Sequence, residues 1–365
     1  LHYPLRRQRQ MCIRDSSLIQ TEKTKEKNFK LLVAEMDIKP ILLDNLIKVQ
    51  AELQDLINDS QTKKEKLGAF GEVFYKEFNN YFIEGGKRIR PFLVRAAFNA
   101  VGGNPNEGNI TRASLAIELL HNGSLLHDDV IDHDETRRGK PSFHVIFREL
   151  HKKKSIKVAM QAEDFGNAMA IFAGDVCFPY AIRSIITSGF PAESCNKALY
   201  AFTQGFQEVI DGVIIETGIT LNETSSEEEY LRMIELKTGA LIKRAVEIGG
   251  ILGGGSESQI NSLISYCSYI GRAFQIQDDI LGVFGNPLEL GKPVGGDIRE
   301  AKQTILRIYA MEHGTKEQAS RLVELMGKDS ILTDELEEVR AIYQTSGALD
   351  YANKLITEAN QKAIE

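Results

Sequence analysis

The chain has 365 residues, 42 % apolar and 26 % charged, enough for one large core or two ordinary domains. A net charge of −7 and a pI near 5.7 exclude general attraction to a nucleic-acid backbone, and the basic run from His151 to Lys154 reads as a solvated helix end. The cysteines, Cys12, Cys177, Cys195 and Cys267, form no CxxC pair, which argues against a disulfide framework or a zinc site and fits a reducing, cytoplasmic setting.

In chain order, the opening "LHYPLRRQRQMCIRDSS" has no initiator Met and no apolar h-region, and it reads as translated adapter or cloning sequence. The native start is expected near Met36, with residues 1–35 set aside as non-native or disordered and residues 36–365 forming one domain. From Ile41 onward apolar residues recur at helical spacing, as in Leu42, Leu43, Leu46, Ile47, Val49, Leu53, Leu56 and Ile57. Helix breaks are expected at "VGGNP" (101–105), "SGFPAES" (188–194), "GGILGGGSES" (249–258) and "FGNPLELGKPVGGD" (284–297). No alternating strand is evident, so the fold class is all-α, a multi-helix bundle. No apolar run is expected to reach the roughly 18–20 residues that cross a bilayer, because acids, lysines or glycines interrupt each, so no stable membrane insertion is expected.

Helical segments ending near Asp132 and Leu281 each carry a carboxylate pair, and two bundle helices can aim such pairs at one cavity. In "HDDVID" (127–132), Asp128 and Asp132 lie four apart on one face, while Asp129 sits about 100° round and can act as their supporting partner. Converging carboxylates without a His or Cys pair suit Mg²⁺, which keeps several waters and bridges to phosphates. The same acids would fit a solvated helix end, but "LAIELLHNGSLL" before them is largely apolar, and Arg137 and Arg138 after them offer forked donors for phosphate oxygens. The combination reads as a metal-diphosphate site.

The second cluster, "QDDILG" (277–282), groups Gln275, Asp278 and Asp279 within about a turn and has Gly282 where a third acid could stand. Metal held chiefly by Asp278, with Asp279 ordering waters, would tolerate that loss; an ordinary helix-capping Asp pair is the alternative. Three basic stretches remain: "EGGKRIRP" (84–91), "IELKTGALI" (234–242) and "LGKPVGGDIREAKQT" (290–304). In the first, Lys87, Arg88 and Arg90 give separate cationic contacts at a helix start before Pro91. Lys237 interrupts an apolar helix and needs an anionic partner if it is buried.

Together "GGKRIRP", "HNGSLLHDDVIDHDETRRGKPSFH", "AGD" (173–175), "KTGALI", "GRAFQIQDDIL" and "GKPVGGDIREAKQT" resemble, in order, the motifs of the trans-prenyl diphosphate synthase (polyprenyl synthetase) family, in particular members of the geranylgeranyl diphosphate synthase type. The resemblance covers about Gly85 to Thr304. It implies an all-α fold around a deep cavity, a homodimer, and Mg²⁺-dependent condensation of isopentenyl diphosphate with an allylic prenyl diphosphate. It further implies that Lys87, Arg90, His121 and Arg138 hold isopentenyl diphosphate. Arg137, Lys237, Thr238, Gln275, Lys292 and Lys302 would surround the allylic diphosphate, with Mg²⁺ on Asp128, Asp132 and Asp278, and Asp129 and Asp279 behind them. The leaving diphosphate would be stabilised by metal and cations, an allylic cation would form in a dry cavity, and the leaving group itself could take the final proton. Lys237 and Thr238 also stand where the family stabilises that cation with oxygens.

Departures from the family pattern are Gly282, in place of the last acid of the second motif, and Val213 in "DGVII" (211–215), in place of a family Gln. The cavity floor is expected one and two turns before Asp128, at Ser124, Gly123, Leu120 and Ile117, with Phe98 or Phe172 as other candidates. No aromatic residue stands at the first four positions. That absence, and the archaeal-like stretch near "ELHKKKSIKVAMQAEDFG", favour a geranylgeranyl or longer product over farnesyl. A medium- or long-chain synthase and a non-catalytic subunit are the competing readings, and a terpene cyclase would not need the "GGKRIRP" site.

Overall fold

The structure, a computed structural model, describes residues 38–58, 67–83, 86–154, 160–222, 225–287, 294–328 and 330–365. Residues 1–35, expected to be non-native or disordered, lie outside the described residues. The chain divides into compact units of residues 1–47 and 48–365. The boundary falls inside helix α1 (Ile38–Asn58). Within that helix Val49, Leu53, Leu56 and Ile57 are buried, whereas Leu43 and Ile47 stay 57 % and 61 % exposed despite their helical spacing.

The larger unit is helical almost throughout. Helices α2 (Gly68–Ile83), α3 (Ile89–Ala100), α4 (Ile110–Ile131), α5 (Phe143–Lys154), α6 (Ala162–Ile186) and α7 (Ala192–Asn222) lead to the short α8 (Glu227–Ile234). A single π turn (Glu235–Gly239) follows, then α9 (Ala240–Leu252), α10 (Glu257–Phe284), α11 (Gly296–Arg299), α12 (Ile305–His313), α13 (Lys316–Leu325), α14 (Thr333–Thr345) and α15 (Ala348–Ile364). Starts are fixed by capping: the Asn109 side chain accepts from the Arg112 backbone N–H, and Ser226 with Glu229, Ser256 with Gln259 and Thr315 with Gln318 form reciprocal capping boxes.

The all-α expectation holds, with one small addition. A small antiparallel hairpin, β1 (Thr136–Arg137) with β2 (Lys140–Pro141), turns at Gly139 just after the first acidic cluster. Strands of two residues are too short to leave an alternating pattern in the sequence.

Two apolar clusters build the unit. One surrounds α4, almost wholly buried as far as Gly123, and draws on α2, α3, α5, α6, α7 and α9. The other joins α8, the last turns of α10 and the carboxy-terminal helices α12 to α15. Helix α6 packs closely on α4 and α5, and α10 packs on α9 and α15.

Helix α6 corrects one expectation, since by length and composition it could cross a bilayer: only Asp175 is charged between Phe165 and Ile182. Half of its most apolar window is buried against the rest of the protein.

Candidate active site

The first acidic cluster lies at the end of α4, where the helix leaves the core. Asp132 is its C-cap and donates its backbone N–H to the Asp128 carbonyl, so Asp128 and Asp132 face the same way. Burial pushes the carboxyls of Asp128 and Asp132 up, and in both the strongest countering charge is Lys237. Lys302 also acts on Asp132. Lys237, carried by the π turn, is thus the main opposing charge for both carboxylates.

Asp129 points inward, fully buried. Its Oδ1 accepts from Arg137 Nε at 2.6 Å, Arg137 Nη2 also donates to Asp134 Oδ2 at 2.8 Å, and Asp129 Oδ2 has no partner. Burial pushes Asp129 up to about 6 against the pull of Arg137.

A cavity of about 140 Å³ adjoins the second cluster, lined among others by Lys237, Thr238, Gln275, Asp278, Asp279 and Lys302. The ammonium of Lys237 meets Glu216 Oε2 at 2.5 Å, which answers the need for an anionic partner. The approach depends on Gly212 in α7, where a Cβ would lie 2.4 Å from the Lys237 backbone nitrogen. A π turn widens a helix by one residue and is frequent at functional sites. Thr238 Oγ1 donates to Gln275 Oε1 at 2.8 Å, and Gln275 Nε2 donates to Asp279 Oδ1 at 2.9 Å. Tyr230 donates its hydroxyl proton to Asp279 Oδ2 at 2.6 Å. Lys302 lies 2.8 Å from Glu300 Oε2 and 3.6 Å from Asp297 Oδ1, and these acids hold its ammonium well above the usual lysine range despite burial.

Sequence reasoning missed Glu216, Tyr230 and Asp297. Glu216 carries a carboxylate into the cavity one turn beyond Val213, which does not line it. At Gly282 a Cβ would sit 2.6 Å from Asp297 Oδ2, so the space next to the absent acid is taken by a carboxylate from α11.

On the other side of α4, Arg138 Nη2 donates to Asn122 Oδ1 at 3.1 Å, and its guanidinium lies 5.7 Å from the Tyr81 ring centroid. His121 is held well below its usual range by burial and by Arg90, Arg138, Arg88 and Arg137, so it is neutral. Arg90 has a buried Nε without a partner, and Lys87 is exposed. Arg88 is not presented as a third contact: it is 2 % exposed, ion-paired with Glu118 and bonded to the Phe82 carbonyl. Its left-handed φ of 51° turns the chain into α3. Lys292 lies outside the described residues.

Of the expected floor positions, Gly123 packs against a neighbouring helix. A Cβ on Gly123 would lie 3.0 Å from Cys177 Cβ and 3.2 Å from the Gly174 carbonyl, so this glycine is a contact with α6. Phe98 packs in the core, 5.8 Å from Phe190 between ring centroids, and Phe172 is 53 % exposed.

Among the described residues no three carboxyl, His or Cys groups converge as a ready-made metal cage. Mg²⁺ does not need one, since it is commonly held by one or two carboxylates and completed by water and substrate phosphate. The buried, partnerless Asp129 oxygen and the half-buried Asp128 carboxyl, with the more exposed Asp132 beside it, fit a hard cation or its waters.

The pattern of the Polyprenyl synthetase family matches residues 72–345, which span both acidic clusters and every basic stretch singled out above. The chain belongs to that family. A short chain isoprenyl diphosphate synthase of Methanothermobacter thermautotrophicus is 37 % identical over 295 residues, 80 % of this chain and 83 % of the relative. A geranylgeranyl diphosphate synthase of Saccharolobus solfataricus is 32 % identical over 286 residues, 78 % of this chain and 80 % of the relative. Among solved structures, a geranylgeranyl pyrophosphate synthase from Corynebacterium glutamicum complexed with isoprenyl diphosphate and magnesium superimposes with a TM-score of 0.82 at 28 % identity, covering 87 % of this chain and 91 % of that one. This polyprenyl synthetase is an all-α prenyltransferase of isoprenoid biosynthesis.

Proposed function

We propose that this prenyltransferase is a Mg²⁺-dependent geranylgeranyl diphosphate synthase that condenses isopentenyl diphosphate with dimethylallyl, geranyl or farnesyl diphosphate. The observation that carries the reading is a cavity lined by Asp278, Lys237 and Lys302, with Lys237 also the main opposing charge for Asp128 and Asp132 at the end of α4. Carboxylates and ammonium groups gathered in one region form a charge arrangement that a metal-diphosphate would complete.

Bound to Asp128, Asp132 and Asp278, Mg²⁺ would supply Lewis-acid neutralisation of the leaving diphosphate. The chain's own groups divide the remaining work. Lys237, Lys292 and Lys302 hold the allylic diphosphate, and Arg137 joins them by exchanging its exposed partner Asp134 for a phosphate oxygen while buried Asp129 keeps its hold. Lys87, Arg90, Arg138 and neutral His121 bind isopentenyl diphosphate, His121 as a hydrogen-bond donor that adds no charge. Thr238 and Gln275 line the cleft with oxygens, and Asp279 anchors Gln275.

Product length rests on two supports: no aromatic side chain stands at Ser124, one turn before Asp128, and several similar proteins are geranylgeranyl diphosphate synthases. The synthase domain is taken as residues 36–365, of which 48–365 form one compact unit. It is expected to work in the cytoplasm as a homodimer, the second copy covering the apolar residues that α6 leaves exposed.

The test is incubation of purified protein with Mg²⁺, labelled isopentenyl diphosphate and each allylic starter, followed by sizing of the dephosphorylated alcohols. Geranylgeraniol is expected as the end product. A shorter or longer end product would overturn the chain length, and no elongation from any starter would overturn the reaction. Asp128→Ala should slow turnover at least about a hundredfold, and near-normal turnover would remove Asp128 from the metal-diphosphate grip.

A further inference from the structure

Tyr230 is 1 % exposed, its ring set in the carboxy-terminal apolar cluster and its hydroxyl directed at Asp279 on the wall of the cleft. Nothing about a tyrosine in an amphipathic helix requires that direction.

The hydrogen bonds fix one another in sequence. Both Asp279 oxygens accept, Oδ2 from the Tyr230 hydroxyl and Oδ1 from Gln275 Nε2, so the Gln275 amide nitrogen is the end turned toward Asp279. The Gln275 amide oxygen then faces Thr238 and also only accepts, so the Thr238 hydroxyl must donate to it. A hydroxyl has one proton, and with that proton committed Thr238 turns lone pairs toward the cleft. Tyr230 holds the far end of this chain by donating to Asp279 Oδ2.

We propose that Tyr230 is a positioning residue of the prenyl transfer: through Asp279 and Gln275 it keeps the Thr238 hydroxyl facing the cleft as an acceptor. The assignment rests on the function proposed above. An oriented lone pair stabilises positive charge developing on the allylic carbon and does little for the anionic diphosphate, so its effect belongs to the chemical step. Without the Tyr230 hydroxyl, Asp279 can rotate away from Gln275, the amide can turn over, and the Thr238 proton can point at the developing cation.

Tyr230→Phe removes one oxygen and keeps the ring in its packing. Expected for the variant are a kcat lower by about tenfold or more and an allylic KM within about twofold of the wild type. Calorimetry with a protonated prenylamine plus Mg²⁺ and inorganic diphosphate should show about tenfold weaker binding of the ammonium, while the intact allylic diphosphate binds as before. Thr238→Val should give the same pattern, and the double variant should be no slower than Thr238→Val alone.

An unchanged kcat, equal losses for ammonium and diphosphate, or multiplied losses in the double variant would each overturn the assignment and leave Tyr230 as core packing. A wild type that elongates no starter would overturn the prenyl-transfer reading and this assignment with it. An active wild type beside an unaffected Tyr230→Phe overturns this assignment alone.

Discussion

Burial pushes the Asp279 carboxyl up to about 7, against the opposing pull of Tyr230 and Gln275. In the unfolded chain the same group titrates near 4, so the folded protein binds its proton more tightly. Its contribution to stability is therefore fully present below about pH 4 and declines as the pH rises toward about 7. Asp279→Asn removes that dependence while keeping the shape. In metal-free buffer the variant should melt roughly 2 °C or more above the wild type at pH 8, with a smaller gap at pH 5, and it should elongate more slowly. A gap that does not change with pH would show that the wild-type carboxyl pays no such penalty. At this scale the sequence discloses charges better than it discloses their partners. Asp128, Asp132 and Lys237 stand out because ionised groups are rare in apolar helices. Tyr230 does not, since a tyrosine at helical spacing looks like core, and Glu216 looks like surface. Arg88 reads like its neighbours Lys87 and Arg90 until backbone direction shows it turned onto Glu118.

Helix α4 shows what periodicity can and cannot convey. Its long apolar run announces a buried helix ending in acids, and the structure has one. Which side faces the substrate depends on its neighbours, and the closeness of α6 at Gly174 and Cys177 makes Gly123 an interhelical contact. A Cβ at Gly174 would in turn lie 2.1 Å from the His127 ring, so both helices use glycine for the approach. Gly123→Phe should therefore lower the melting temperature and soluble yield through overpacking, an effect of about 1–3 kcal/mol or more. Ser124→Phe, at a half-buried position one turn before Asp128, should fold and give a shorter prenyl alcohol. A stable Gly123→Phe enzyme with a shortened product would reverse that assignment. The π turn eluded the sequence for a related reason: one extra residue in a helical turn leaves the hydrophobic pattern almost unchanged, and the turn lies close against Gly212 on another helix.

Over the whole molecule, the main exposed apolar feature of α6 is the set Ile171, Phe172, Ile182 and Ile186, exposed by 43 %, 53 %, 38 % and 59 %. Residues 171, 182 and 186 recur near helical period, so a partner helix can cover them together. Light scattering should give twice the chain mass, and Phe172→Asp should shift the population toward single chains. A single-chain mass for the wild type would return this face to solvent. The acidic wall of the cleft carries another lesson. Because Asp297 leans into the space beside Gly282, restoring an aspartate there would set one carboxylate against another. The two positions are coupled: an aspartate gained at 282 needs the Asp297 side chain to swing aside or a cation to sit between the two carboxylates.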